Sequence, residues 1–374
     1  MKSNYKPLFE SFSLNSGVEL KNRVVMAPMT HFSSNEDGTV SESELSYYSR
    51  RSGGVGLVIT ACIYVSPNGK GFAGEFAGDS DEMIPSLRSL ASTIKEKGSK
   101  AVLQIFHGGR ECPPSLVPGE DVVSASAVAS EQNATVVPRA LRDEEIVEII
   151  RHFGETTRRA IAAGFDGVEI HGANGYLLQQ FFSSHSNTRE DRWGGSIENR
   201  LRFPLAVVDE VKRVVAEHAK APFIVGYRFS PEEATTPGIT MEDTFKLVDE
   251  LAGKELDYLH VSLMDFWSLP RRGADETKAR VEWIQERVGH LVPIIGVGSI
   301  HTPDDAVKAL DTGIPLVAIG RELIVEPDWV EKVAEGREAE IKTTLSRADQ
   351  DRLVVPTPLW QAIVHTPGWF PLGD

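Results

Sequence analysis

Short apolar runs rich in β-branched residues recur along the chain, separated by longer segments with apolar residues three and four apart. There are eight such runs: NRVVMAPM (22–29), VGLVITACIYV (55–65), KAVLQIFHGG (100–109), GVEIHGA (167–173), PFIVGYRFS (222–230), YLHVSL (258–263), VPIIGVGSI (292–300) and LVAIGREL (316–323). They are nearly continuous rather than alternating, as strands are when both faces of a parallel sheet are covered. Segments 83–98, 143–164, 202–218 and 241–255 carry the helical period, and the first two close on glycine, a common helix stop.

Eight strands alternating with helices predict an α/β protein with a (β/α)8 TIM barrel fold. A doubly wound open sheet would normally hold fewer strands or split into two domains. The segments after the third and fourth runs, about 110–142 and 183–200, are rich in Pro, Ser, Asn, Asp and Gly. They predict insertions on the face where such barrels carry their sites, as a substrate wall or as surface decoration. Residues 1–340 make the expected barrel. Residues 341–374 make a C-terminal extension whose apolar, aromatic end docks on the barrel or on a partner subunit of a homo-oligomer.

Composition narrows the function. The chain has 374 residues, 41% of them hydrophobic, and a formal net charge of −15. An acidic surface argues against nucleic acid or an anionic membrane as partner, since both need a basic footprint. It leaves room for a phosphorylated cofactor, which two or three placed cations can hold. Cys62 and Cys112 lie far apart and outside any C-x-x-C, so a disulfide framework, a zinc site or a cysteine-held iron–sulfur cluster is not expected. The N-terminus lacks an apolar signal-peptide core and the longest apolar run is too short to span a bilayer, so a soluble, cytoplasmic protein is expected.

The strand ends carry the candidate chemistry. GVGSIH after the seventh run is a broken dinucleotide fingerprint, and an ordinary tight turn explains it as well. Its place matters, because the loops after strands seven and eight are the usual phosphate corner of a barrel. There Gly298 and Gly320 let backbone N–H groups approach an anion, and Arg321 supplies a charged fork. Arg228 lies inside an apolar run and needs an accepting partner, either a structural salt bridge or a ligand with negative charge. Gln104 offers a donor and an acceptor to a ring edge, or bonds the backbone. His171, Asn174 and Tyr176 cluster after the fourth run. The first two can aim donors at one oxygen and the third can deliver a proton. The alternative is an Asn cap and a packed tyrosine.

The block EIHGANGYLLQQFFSSHSNTREDRWGGSIENRLRFPLAVVDEV closely resembles the signature of the old yellow enzyme family, the FMN-dependent ene reductases. NRVVMAPMT, QIFHGGR and IGRELI resemble its other blocks in the same order, so the resemblance spans roughly residues 7–335. The bacterial NADH-dependent flavin oxidoreductase branch is the nearest in character. The resemblance implies that Ala27, Pro28, Met29 and Thr30 run along the flavin, with Thr30 near the O4 side. It places Ala61 and Gln104 on the ring, Arg228 at the N1/O2 edge, and Gly298, Gly320 and Arg321 on the FMN phosphate. His171 and Asn174 would bind the substrate's carbonyl oxygen and Tyr176 would donate the proton. Some members carry a tyrosine where this chain has Phe32 in the substrate pocket. The iron–sulfur relatives are excluded, because two distant cysteines cannot hold a cluster.

The implied reaction is ping-pong. NADH or NADPH reduces the flavin at N5, and hydride then passes to the β-carbon of an α,β-unsaturated carbonyl while Tyr176 protonates the α-carbon. A quinone, nitro or flavin reductase could use the same site, and a non-enzymatic flavin sensor could share the fold. A Schiff-base lyase is disfavoured because no lysine stands at a strand end. A metal-dependent hydrolase is disfavoured because the first run lacks H-x-H.

Overall fold

Eight parallel strands close into a barrel: β1 (Val24–Met26), β2 (Leu57–Tyr64), β3 (Lys100–Phe106), β4 (Gly167–Gly172), β5 (Ile224–Phe229), β6 (Tyr258–Val261), β7 (Ile294–Val297) and β8 (Leu316–Ile319). Each pairs with its sequence neighbour, and β8 pairs with β1, Val317 opposite Val24, to close the ring. Every predicted run holds one of these strands. The computed structural model describes all residues except Asn133, in the first expected insertion, and Asp374, the last of the expected extension; these two lie outside the described residues.

Helices cross over between the strands: α1 (Glu42–Arg51), α2 (Ile84–Glu96), α3 (Asp143–Ala163), α4 (Leu177–Phe182), α5 (Ile197–His218), α6 (Met241–Ala252), α7 (Arg280–Val288) and α8 (Pro303–Leu310). The four segments of helical period correspond to α2, α3, α5 and α6. The helices α1, α7 and α8 have only 10, 9 and 8 residues, too few turns to show a period. Local chemistry starts them instead. In α1, Ser41 Oγ accepts from Glu44 N at 3.3 Å and Glu44 Oε2 accepts from Ser41 N at 3.0 Å, a reciprocal cap.

The core has two compartments. An outer one fills the space between strands and helices. An inner one lies within the barrel, where Val25, Leu57, Ile59, Ile224, Tyr258 and Leu316 meet Leu14, Val18 and Leu20 around the N-terminal hairpin. That hairpin plugs the apolar end of the barrel. Higher up, the inward-facing residues turn polar.

Gly226 makes room for one inner residue. It stands beside Tyr258 in register, and a Cβ there would lie 2.2 Å from the tyrosine ring. Gly226→Ala is expected to destabilise the protein by about 1–3 kcal/mol through overpacking. The urea midpoint of the purified protein measures this, and an unchanged midpoint would show that the ring can move aside.

The first insertion is tied down rather than loose. Gln180 of α4 accepts from Arg110 N at 3.1 Å and from Ser124 Oγ at 2.9 Å, so the segment after β3 walls one side of the barrel mouth. The chain after residue 340 lies on its own barrel in α9 (Gln350–Leu353) and α10 (Thr357–His365). Buried Arg51 donates to Leu353 O at 2.6 Å and to Leu323 O at 3.0 Å. Leu345 N donates to Pro371 O at 2.9 Å, which brings the end of the chain back toward the barrel.

Candidate active site

Two adjoining cavities, of about 710 and 150 Å³, open at the C-terminal ends of the strands. They share Pro28, Met29, Arg228, Leu263, Met264 and Trp369. Thr30, Phe32, Gln104, His171, Asn174 and Tyr176 line the larger one, and Ala27, Gly298, Gly320 and Arg321 the smaller. Residues from both ends of the chain thus face one continuous space, of a size usual for a cofactor and a small substrate.

The His171 ring is neutral and its tautomer follows from its neighbours. Burial first, and the nearby Arg228 cation second, hold its pKa down at about 3. Ala173 N donates to Nδ1 at 3.2 Å, so the ring proton sits on Nε2. Asn174 takes a left-handed backbone, φ 58°, which a short polar side chain tolerates best after glycine. Its Oδ1 accepts from Ser262 Oγ at 2.9 Å. Ser262 Oγ in turn accepts from Arg228 Nη2 at 3.0 Å, and a guanidinium can only donate. The Ser262 proton must therefore go to Asn174, which leaves the asparagine NH2 group free as a donor.

Tyr176 begins α4. Its ring is gripped edge-on by Phe106 at 4.6 Å and by His171 at 5.1 Å between centroids. Its hydroxyl has no hydrogen-bond partner among the described residues. Burial pushes the phenol well above its ordinary pKa, so it keeps its proton. Phe32 closes the pocket against Phe72, with 5.8 Å between ring centroids.

Beneath this layer lies a carboxylate that the sequence reading did not single out. Glu169 is 0% exposed; it accepts from Gln104 Nε2 at 2.7 Å and meets His260 Nδ1 at 2.9 Å. Its neighbours His260 and Arg228, and the bonds from His260 and Gln104, outweigh burial and keep its pKa below the ordinary value. The signal was present, because Glu169 stands two before His171 and so points to the same face of β4. Arg228 makes no ion pair within 4.0 Å among the described residues, and its buried Nε has no partner. Gln104 has spent one N–H on Glu169, and its carbonyl oxygen remains for a ligand.

At the other end, Gly298 has φ 137°, and a Cβ there would lie 2.6 Å from Phe266 N. Arg321 donates to Trp369 O at 3.0 Å and to Ser299 Oγ at 3.3 Å, so the C-terminal segment reaches the corner where Gly320 begins the next helix. His301 faces the buried Glu322 at 2.9 Å, which raises the imidazole pKa. Ala61 is the one expected residue on neither cavity. A shift of register between Ile59 and Cys62 turns its side chain toward the outer core and sets Cys62 on the wall instead. Ser262 and Trp369 are also site residues that the sequence reading missed. Ser262 sits in the sixth run, but its partners come from other strands.

The residues present fit FMN: an orphaned arginine nitrogen and an amide oxygen stand at the wide end, and glycines with an arginine at the narrow end. Fold and site together define an FMN-using, NAD(P)H-dependent oxidoreductase, and the comparisons agree. The chain belongs to the NADH:flavin oxidoreductase / NADH oxidase family, which it matches over residues 7–340, in the old yellow enzyme group that its sequence blocks resemble. It is 58% identical over 374 residues, the whole of both chains, to the probable NADH-dependent flavin oxidoreductase YqiG of Bacillus subtilis (strain 168). It is 44% identical to the NADH:fumarate oxidoreductase of Klebsiella pneumoniae (strain 342), over 96% of this chain but only 39% of that longer one. Among solved structures, the old yellow enzyme from Trypanosoma cruzi superposes with a TM-score of 0.77 at 29% identity, covering 89% of this chain and 93% of that one. No helix among the described residues is long and apolar enough to cross a membrane.

Proposed function

We propose that this protein is an ene reductase: it reduces the activated double bond of a small α,β-unsaturated carbonyl compound in two half-reactions at one site. The observation that carries this reading is the convergence of two free donors, His171 Nε2–H and the Asn174 amide, beside an unpartnered tyrosine hydroxyl. Ala27, Pro28, Met29 and Thr30 would hold one edge of FMN, and Gln104 and Arg228 would meet its polar ring edge. Gly298, Gly320 and Arg321 would hold its phosphate. When bound, FMN supplies hydride chemistry, accepting from NADH or NADPH and giving to the substrate's β-carbon.

The chain's own residues do the rest. His171 and Asn174 bind the carbonyl oxygen and stabilise the negative charge that grows on it as hydride arrives. Both are neutral donors held by other groups, so they need no rearrangement at that moment. Tyr176 releases its proton to the α-carbon, completing addition of one hydride and one proton across the double bond. Arg228 places a fixed positive charge near the ring and, through Ser262, orients Asn174. Phe32 and Phe72 wall the pocket and exclude water. The segment after residue 340 belongs to this unit, since Trp369 lies over both cavities.

The purified protein is expected to be yellow, to release FMN on denaturation, to bleach anaerobically with NADH or NADPH, and to regain colour with a cyclic enone. A sample still colourless after reconstitution with FMN would overturn the reading. Colour regained with quinones or nitro compounds but never with enones would reassign the substrate class.

A further inference from the structure

One wall of the larger cavity takes no part in that scheme. Arg271, in the segment between β6 and α7, and Arg280, which opens α7, both line it. The buried Glu232, which follows β5, fixes that segment. Its carboxylate accepts from Arg271 N and from Arg272 N, each at 2.9 Å, so the backbone of Arg271 is pinned. The Arg271 side chain is not. It is exposed, and its guanidinium makes no hydrogen bond or ion pair among the described residues. Arg280 is 9% exposed. Its Nε donates to Leu269 O at 3.0 Å and lies 3.4 Å from Glu232 Oε2. Its two terminal nitrogens make no hydrogen bond among the described residues, and neither is sealed from solvent. Two guanidiniums with unused donors thus stand on one cavity wall.

We propose that Arg271 and Arg280 form a subsite for the diphosphate of the nicotinamide dinucleotide, at the mouth of the cavity in which its ring meets the flavin. This rests on the reading above, in which NADH or NADPH reduces FMN in that cavity. A guanidinium presents paired N–H groups that match the oxygens of a phosphate. Depth decides which anion fits. A small enone held by the buried His171 stays at the floor of the cavity. A nicotinamide ring at that same floor must trail its ribose and diphosphate outward, past the exposed Arg271.

The local charge suits an anion although the chain as a whole does not. A net charge of −15 repels a dinucleotide at long range, and a cationic mouth offsets that repulsion where the ligand enters. Two acids share the wall, Glu232 and Asp265, and both are occupied by backbone donors. Glu232 holds Arg271 N and Arg272 N, and Asp265 Oδ1 accepts from Trp267 N at 3.1 Å. Burial lowers the Arg280 pKa, Glu232 raises it, and the Arg271 cation lowers it further, so the two guanidiniums feel each other. A diphosphate between them relieves that repulsion. Arg228 also faces the cavity, but it belongs to the ring edge of FMN in the scheme above.

The test is anaerobic stopped-flow reduction of the holoprotein's flavin by two donors. NADH carries the diphosphate, and 1-benzyl-1,4-dihydronicotinamide offers the same reducing ring without one. Arg271→Gln and Arg280→Gln should each raise the apparent dissociation constant for NADH about tenfold, the usual loss for one charge-assisted contact. The limiting rate at saturating NADH should hold, and so should the rate with the benzyl compound. Added salt should weaken NADH binding more steeply in wild type than in either variant. Arg271 is exposed and unpaired, so its variant decides the matter if Arg280→Gln does not fold. An unchanged constant for NADH in Arg271→Gln, or an equal loss with both donors, overturns the subsite. So does weaker binding of an enoate, relative to a neutral enone, with NADH unaffected; that result assigns the wall to a substrate carboxylate. In each of these cases flavin reduction by the benzyl compound in wild type leaves the functional reading standing. A wild-type holoprotein that neither donor reduces overturns that reading and the subsite with it.

Discussion

Tyr176→Phe is expected to slow reoxidation of the reduced enzyme by an enone about 10²- to 10⁴-fold, the usual worth of a placed general acid. Reduction by NADH or NADPH should be unaffected. The substitution removes one oxygen and keeps the ring, and the ring contacts with Phe106 and His171 hold the side chain in place. The lost hydroxyl has no partner among the described residues, so no buried group there is orphaned and the fold is not disturbed. Stopped-flow absorbance of the flavin separates the two half-reactions. Equal slowing of both would count against a proton-donor role, because hydride delivery from the nicotinamide needs no acid.

The second large effect belongs to the oxygen donors. His171→Ala and Asn174→Ala should each lower enone turnover about 10²- to 10³-fold, the cost of removing one donor from a charge-stabilising pair. Each should also weaken binding of a simple phenol, read from the perturbed flavin spectrum. The two are not equivalent. His171 carries its donor on a neutral ring whose pKa, about 3, keeps it uncharged across the working pH range. Asn174 depends on Ser262 and Arg228 to turn its amide the right way. Unchanged phenol affinity in both variants would remove them from the carbonyl site.

Much of the site could be read before the fold was seen, and the reason is particular. His171, Asn174 and Tyr176 lie within one turn of chain, so a single local segment carries the reacting groups. Gly298 and Gly320 mark backbone positions and need no partner to be noticed. The residues that were missed are those whose meaning depends on a distant strand. Glu169 shares a strand face with His171, but its partners Gln104 and His260 close on it from 65 and 91 residues away. Ala61 was expected on the ring through the family resemblance; its side chain faces the outer core, and the irregularity before Cys62 sets that neighbour on the cavity wall. Trp369 lay in a tail whose apolar character fitted a partner subunit as well as its own barrel.

The sequence by itself determined the eight strands, their order and the polar face of the barrel. Those depend on local period, on turn residues and on which side of a strand a residue points. Only the tertiary structure decided how the polar groups divide their hydrogen bonds. Ser262 frees the Asn174 amide, Ala173 N fixes the His171 tautomer, and Glu169 occupies Gln104. A buried donor or acceptor must be satisfied by whatever the closed barrel brings near it, and that neighbour is set by the pairing of strands rather than by the residues beside it in the chain.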